Sequence, residues 1–471
     1  MALLVAVFVG AMDQTVVAAV LPAFVRDLSI PFDRLDEAGW AVTLYLAAYA
    51  AVVPTGGRLI DSGARSAALL GGLLVFAIGS VMCGLAGSLG VLVAGRVVQA
   101  LGAGVLLPVA LASIGQGDAR RRLFRIGLVL AVAEGGAVCG PLYGAAALAW
   151  LDWRWVFWLN IPLAAFIGAV FMSGGPPRLT RLSGRLFLLP VATGLALGLI
   201  IAGVSREAAR AGFWVAALCI VCAGVLAALL VKRSSLARGR GFGILLAAHG
   251  LLGVALMVPL VLVPVWANTL LALDASGAAQ VLLRMTLAIP PGALMGAAAA
   301  RIAGTRAVAL VGFLVVAVGL QFMATWQSTT TVPDMTPALV LAGVGFGLLL
   351  APLTELVFAY SDARTVGSAV SLATAARVVG MAVGLSLLTR WGLDQLVLRL
   401  AELPTPNFSA TAALADYERA AAAIAAQILG TLFLVGAGCA ALAGIGMLAV
   451  REQWNRRRSE SFVLQDGGGL Q

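Results

Sequence analysis

Six charged side chains sit well inside otherwise oily stretches of this 471-residue chain: Asp13, Arg96, Glu134, Arg284, Glu355 and Arg377. Three are acidic and three basic, so they can pair completely. Asp13, Glu134 and Arg377 each fall near the middle of an apolar run, Arg96 and Arg284 lie in the outer halves of theirs, and Glu355 nears an end. An ionised group at such depth is costly unless it is paired, protonated or wetted by a cavity. One chemistry open to the set is plain ion pairing that fixes helix register, although buried pairs are poor stability devices. The sharper one is proton switching. A carboxyl group in low dielectric holds its proton more tightly, and one beside an arginine releases it more readily. If Glu134 meets Arg377 in one conformation and loses it in another, proton binding is coupled to the conformational change. The expectation is therefore an ion lock between Glu134 and Arg377 from opposite halves, with Asp13 as a second proton site.

The surroundings of Glu134 read "EGGAVCGPLYG" (134–144). Gly136, Gly140 and Gly144 recur every fourth residue and form a stripe that admits a neighbouring backbone. Pro141 removes one helical hydrogen bond and predicts a kink just beyond the carboxylate.

The elements that must hold these residues follow from composition. Hydrophobic residues make up 61% of the chain and charged ones 11%, with a mean hydropathy of +1.03. Such a chain cannot build a polar surface, and its long continuous apolar runs fit transmembrane helices rather than the alternating strands of a barrel. Fourteen apolar segments are expected: 2–25, 38–60, 66–86, 90–114, 124–149, 154–173, 185–204, 212–231, 243–270, 277–300, 307–326, 336–360, 365–391 and 420–450. The grouping predicts a six-helix bundle over 1–173, a linker with two inserted helices over 174–242, a second bundle over 243–451 and a tail over 452–471. An extension at about 391–420 is expected outside the membrane, because a helix continuous from Val366 to Leu403 would be ~57 Å long. "GGRLIDSGARS" joins the second and third helices, and "GAAAARIAGTR" takes the matching place in the second bundle, with Ala300 opposite Asp61.

The net charge of +10 belongs to topology rather than to nucleic acid. With both termini in the cytoplasm, 20 of the 31 Lys and Arg fall on that side and 8 on the other, which fixes the orientation. The first apolar run carries Asp13 and Pro22 with no basic segment before it, unlike a cleaved signal. No Walker motif appears, and one histidine, His249, with scattered cysteines leaves no metal, cofactor or catalytic constellation. "CIVC" (219–222) has redox spacing but lies in an apolar run, where small-residue packing explains it. Neither an enzyme nor a nucleic-acid binder is expected.

Several motifs resemble those of the major facilitator superfamily, in its fourteen-helix drug:proton antiporter branch. "AMDQTVVAAVLP" (11–22) is similar to the branch's first-helix motif through Asp13. "GGRLIDSGARS" (56–66) resembles motif A through Gly57, Asp61 and Arg65, departing at Ser62, Ala64 and Ser66. "GRVVQALGAG" (95–104) resembles motif B through Arg96, Gln99 and Gly102, and "GAVCGPLYG" (136–144) the antiporter motif C with Gly140, Pro141 and Gly144. "DWRWVFWLNIPLAA" (152–165) is similar to the branch's sixth-helix start. The resemblance implies alternating access, a cytoplasmic gate at Gly57, Asp61 and Arg65, and coupling or structural roles for Arg96, Gln99, Arg284 and Glu355. "IPFDRLDEAGWAVTLYLAAYAAVVP" (30–54) looks more like the mycobacterial exporters of triacylglycerides and lipoglycans than like typical multidrug pumps. That implies a lipid substrate, elongated extracytoplasmic helices and a lipid-binding lipoprotein partner. Aromatics are 7% of the chain, so an aliphatic cleft is expected, favouring acyl chains. The expected protein is a monomeric, proton-coupled lipid exporter of a bacterial inner membrane; the rival expectation is a multidrug:proton antiporter.

Overall fold

A computed structural model describes residues 1–30, 38–114, 118–173, 240–362, 364–403 and 411–450. Among the described residues every regular element is a helix, because a backbone in hydrocarbon must satisfy its own hydrogen bonds. The first bundle contains α1 (Ala2–Asp27), α2 (Trp40–Asp61), α3 (Arg65–Gly84), α4 (Leu89–Ala103), α5 (Leu106–Ala112), α6 (Ala119–Trp150), α7 (Trp155–Trp158) and α8 (Asn160–Met172). The second contains α9 (Arg240–Thr269), α10 (Ala275–Thr286), α11 (Ile289–Ala303), α12 (Thr305–Ala324), α13 (Val332–Tyr360), α14 (Val366–Ala401) and α15 (Thr411–Leu448). Joining α4 to α5, α7 to α8 and α10 to α11, eleven spans among the described residues are long and apolar enough to cross a membrane; α1, bent part-way, makes a twelfth. They fall six and six. The inserted pair expected at 185–204 and 212–231, "CIVC" and the 452–471 tail lie outside the described residues.

Polar caps start the helices where the apolar runs begin. Ser88, Asp118 and Asp274 each accept a backbone N–H from the first turn of α4, α6 and α10, and Thr331 with Asp334 forms a reciprocal cap on α13. The outer faces are apolar: Leu74, Phe166, Leu314, Phe322 and Ile445 are each more than half exposed, which water would not tolerate on this scale but lipid does.

The glycine stripe packs as its spacing predicts. A Cβ at Gly136 would strike the Phe8 carbonyl, one at Gly140 would strike Thr15 and Met12, and one at Gly144 would strike Ala19 and Val16, all on α1. α6 runs through Pro141 as one 32-residue helix. Proline cannot donate to the carbonyl four residues back, and that carbonyl, of Ala137, accepts the Thr15 hydroxyl of α1 at 2.8 Å instead. The proline therefore creates an inter-helix hydrogen bond.

Two seams join the bundles: α2 packs on α14, and α6 on α11. Both short turns, α2–α3 and α11–α12, pass through a glycine in the left-handed region, Gly63 (φ 86°) and Gly304 (φ 88°). Aligning those glycines also aligns Arg65 with Arg306 and puts Ile302, not Ala300, opposite Asp61. α14 is continuous over 36 residues and α15 over 38, or ~54 and ~57 Å, well beyond a ~30 Å bilayer core. Gly430 lies against the carbonyl of Ala324, where α12 ends, so residues 411–429 stand beyond that level. Arg399 of α14 donates to Gln427 of α15 at 3.0 Å, tying the two long helices together.

Candidate functional site

One carboxylate cap and three ion pairs shielded from solvent make up the candidate site. At the level of the α2–α3 turn, Asp61 caps α14. Its Oδ1 accepts the Gly367 N–H at 2.7 Å, and Oδ2 accepts the Ser368 N–H at 2.9 Å and the Ser368 hydroxyl at 2.5 Å. A carboxylate on a helix N-terminus meets both unsatisfied donors and the positive end of the dipole. Gly57, one turn earlier, lets α14 approach, since a Cβ there would lie 2.6 Å from the Gly367 carbonyl oxygen. Arg65 begins α3 as an exposed side chain and takes no part in this cap.

On the same side, Arg122 of α6 reaches Glu355 of α13. Its Nε donates to Oε2 at 2.7 Å and its Nη2 to Oε1, a buried two-pronged pair between the bundles, with the guanidinium 5.7 Å from the Phe358 ring centre. Arg122 belongs to the basic run "RRRLFR" (120–125), which the charge–topology rule accounts for by itself. Its helical phase gives it away: Arg122 falls on the same stripe as buried Ile126, Val129, Leu130 and Ala133.

Deep in the first bundle, Arg96 of α4 donates through Nη1 to Asp13 Oδ2 at 2.7 Å and to Gln99 Oε1 at 2.6 Å, and through Nη2 to the Asp13 carbonyl at 3.3 Å. Asp13 Oδ1 accepts from Gln99 Nε2 and from Asn160 Nδ2, both at 2.8 Å. Gln99 also donates to Ser80 at 2.9 Å. Asp13 is 1% exposed. Sequence reasoning missed Asn160 and Ser80, although Asn160 is the one polar side chain in "VFWLNIPLAAF". The neighbouring "DWR" pins the opposite end of α1: Trp153 Nε1 and Arg154 both bond Asp27, at 3.3 and 2.8 Å.

The third pair crosses between the bundles. Arg377 Nη1 of α14 donates to Glu134 Oε1 of α6 at 3.2 Å, with side chains 18% and 15% exposed. Beside it lies a small cavity lined by Leu107, Leu111, Leu130, Leu252, Leu350, Leu353, Val357, Val370 and Ala373, with His249, Thr354, Thr374 and Arg377 as its polar wall. Both threonine hydroxyls bond carbonyls of their own helices. His249 Nδ1 lies 2.8 Å from the Leu245 carbonyl, which can only accept, so Nδ1 carries a proton. Among the described residues no Phe, Tyr or Trp lines the cavity.

The expected three-and-three pairing is thus corrected. Arg122, not Arg284, completes the set; Arg284 donates instead to the Val332 carbonyl at 3.2 Å, anchoring α10 to the start of α13.

Two six-helix bundles that meet around a central cavity and are joined by buried ion pairs define a membrane transporter. The family model of the Major Facilitator Superfamily matches residues 3–385, and the chain belongs to that superfamily. Relatives described as triacylglyceride transporters include one from Mycobacterium tuberculosis (strain ATCC 25618 / H37Rv), 34% identical over 467 residues, with 90% of this chain and 89% of that protein covered. Another, described as a probable triacylglyceride transporter of Mycobacterium leprae (strain TN), is 33% identical with 85% of each chain covered. Among solved structures, the human organic anion transporter MFSD10 superposes with a TM-score of 0.67 at 13% identity, covering 95% of this chain and 98% of that one. The proton:xylose symporter XylE gives 0.65 at 13% identity, covering 96% and 95%. These structural likenesses concern the fold.

Proposed function

We propose that the chain exports a lipid of the triacylglyceride or glycolipid class across a bacterial cytoplasmic membrane, coupled to proton entry by alternating access. The observation that carries this is the Glu134–Arg377 pair, which joins opposite bundles beside an aliphatic cavity. While Glu134 is ionised, the guanidinium holds α6 and α14 together. When Glu134 takes a proton, most of that attraction is lost and the bundles can rock apart. Partial exposure at the cavity wall supplies the route for the proton.

The Asp61 cap and the Arg122–Glu355 pair form the cytoplasmic closure in this reading, with both termini on the cytoplasmic side. Opening inward breaks them. The projecting parts of α14 and α15 hand the lipid on outside the membrane, where a lipid-binding lipoprotein receives it; the transporter itself works as a monomer. Relatives named triacylglyceride transporters and a cavity without aromatic stacking surfaces support the lipid over other cargo.

A second reading, a multidrug:proton antiporter, has one observation in its favour: the aliphatic cavity carries a polar wall of His249, Thr354, Thr374 and Arg377, the mixed lining that sites for amphipathic small molecules use. Proteoliposomes loaded with fluorescent triacylglyceride in one assay and an ethidium-like dye in the other separate the two. Lipid movement without dye movement is expected; dye efflux without lipid movement reverses the ranking.

A further inference from the structure

The segment "YLAAY" of α2 places Tyr45 and Tyr49 one helical turn apart, and the ion lock makes no use of either. The Tyr45 ring lies under the Arg96 guanidinium, 3.9 Å from centroid to Cζ. The Tyr45 hydroxyl is fully buried and has no hydrogen-bond partner among the described residues, and neither has Arg96 Nε. Tyr45 and Tyr49 stack at 6.3 Å with 21° between their planes. Both rings belong to the apolar cluster that includes Ala375, Val378 and Ala382 of α14. The two tyrosines therefore lead from the Arg96–Asp13 network toward the stretch of α14 that carries Arg377, the partner of Glu134.

A hydroxyl buried without a partner is costly, and phenylalanine would fill the same space without that cost. Two such polar atoms in one stacked pair of side chains, next to a charged network, are where a buried water belongs. A phenol both accepts and donates. It can take a proton on its oxygen while releasing its own, and ends neutral, so a proton moves with no change in the side chain.

We propose that Tyr45 and Tyr49, bridged by water, conduct protons between Asp13 and Glu134, making the two carboxylates one coupled site. This rests on Glu134 being a proton site. The test uses the full chain in proteoliposomes carrying an internal pH-sensitive dye, with Tyr45→Phe and Tyr49→Phe, which keep ring, stacking and cation–π contact. Each variant is expected to lower proton flux about tenfold or more, with lipid binding retained and Tm equal to or above wild type. Wild-type flux in both phenylalanine variants overturns the relay. So does flux lost together with a lowered Tm, which makes the hydroxyls structural. If the wild type carries no flux, or flux survives Glu134→Gln, the proton-site reading itself fails, and that outcome is told apart because it does not involve the tyrosines.

Discussion

The three ion pairs differ most in how much water reaches them. Asp13 and Arg96 are sealed, with neutral amides filling the remaining lone pairs, whereas Glu134 and Arg377 keep about a sixth of their surfaces open. A sealed pair is strongly destabilising to break from one side, by roughly 3–5 kcal/mol. Arg96→Met should therefore lower Tm substantially in detergent melting curves, since it leaves Asp13 buried among neutral donors only. Glu134→Gln keeps the shape and a hydrogen-bonding group, so its Tm should stay near wild type while lipid export stops. An unaltered Tm in Arg96→Met would show that the pair is not the fastening it looks like. At this scale the midplane charges were legible in the sequence because lipid makes them conspicuous. Arg122 was not, because a basic run at a helix start also satisfies the topology rule, and only helical phase separates the buried arginine from its exposed neighbours. Asn160 was hidden for another reason: one amide in an apolar run announces no partner until Asp13 is placed opposite it.

Among the elements, the contact of α6 with α1 is the most specific. Three glycines and the carbonyl freed by Pro141 all face α1, and Gly140 meets two α1 atoms at once. Gly140→Leu should cost about 1–3 kcal/mol through overpacking, read as a lower Tm and reduced yield of folded protein; full stability would mean that α1 can shift aside. The stripe was readable from spacing alone. What spacing could not tell was that Pro141 exchanges a hydrogen bond within α6 for one to Thr15. The long α14 was legible too, since leucine periodicity carries on past the bilayer length and Pro404 follows. The height of α15 was not, because alanine-rich segments give little helical phase. Excising 392–417 with the helix ends rejoined should abolish lipid export while leaving the bundles folded. Unchanged export would remove the projecting hairpin from the mechanism.

At the scale of the whole molecule, the two bundles each turn through a glycine of positive φ, Gly63 and Gly304, yet only the first turn follows an acid, Asp61, that reaches the other bundle. Where α6 faces the second bundle, Arg122 and Glu355 of α13 supply the fastening instead. In the proposed alternation, closure on this side rests on two unlike fasteners, and weakening both should shift the population toward the opened state. Spin labels at Arg58 and Arg364 in an Asp61→Asn, Glu355→Gln background should report a larger share of long distances than in the otherwise unaltered chain. An identical distance distribution would mean that neither fastener biases the equilibrium.

Coupling of lipid movement to protons through Glu134 is the centre of this account. The most direct measurement imposes a pH gradient across proteoliposomes and follows a fluorescent triacylglyceride for the wild type and Glu134→Gln side by side. Gradient-dependent export in the wild type, and none in a Glu134→Gln protein that still folds and binds lipid, is the expected result. Export that ignores the gradient in the wild type, or responds to it equally in Glu134→Gln, would contradict it.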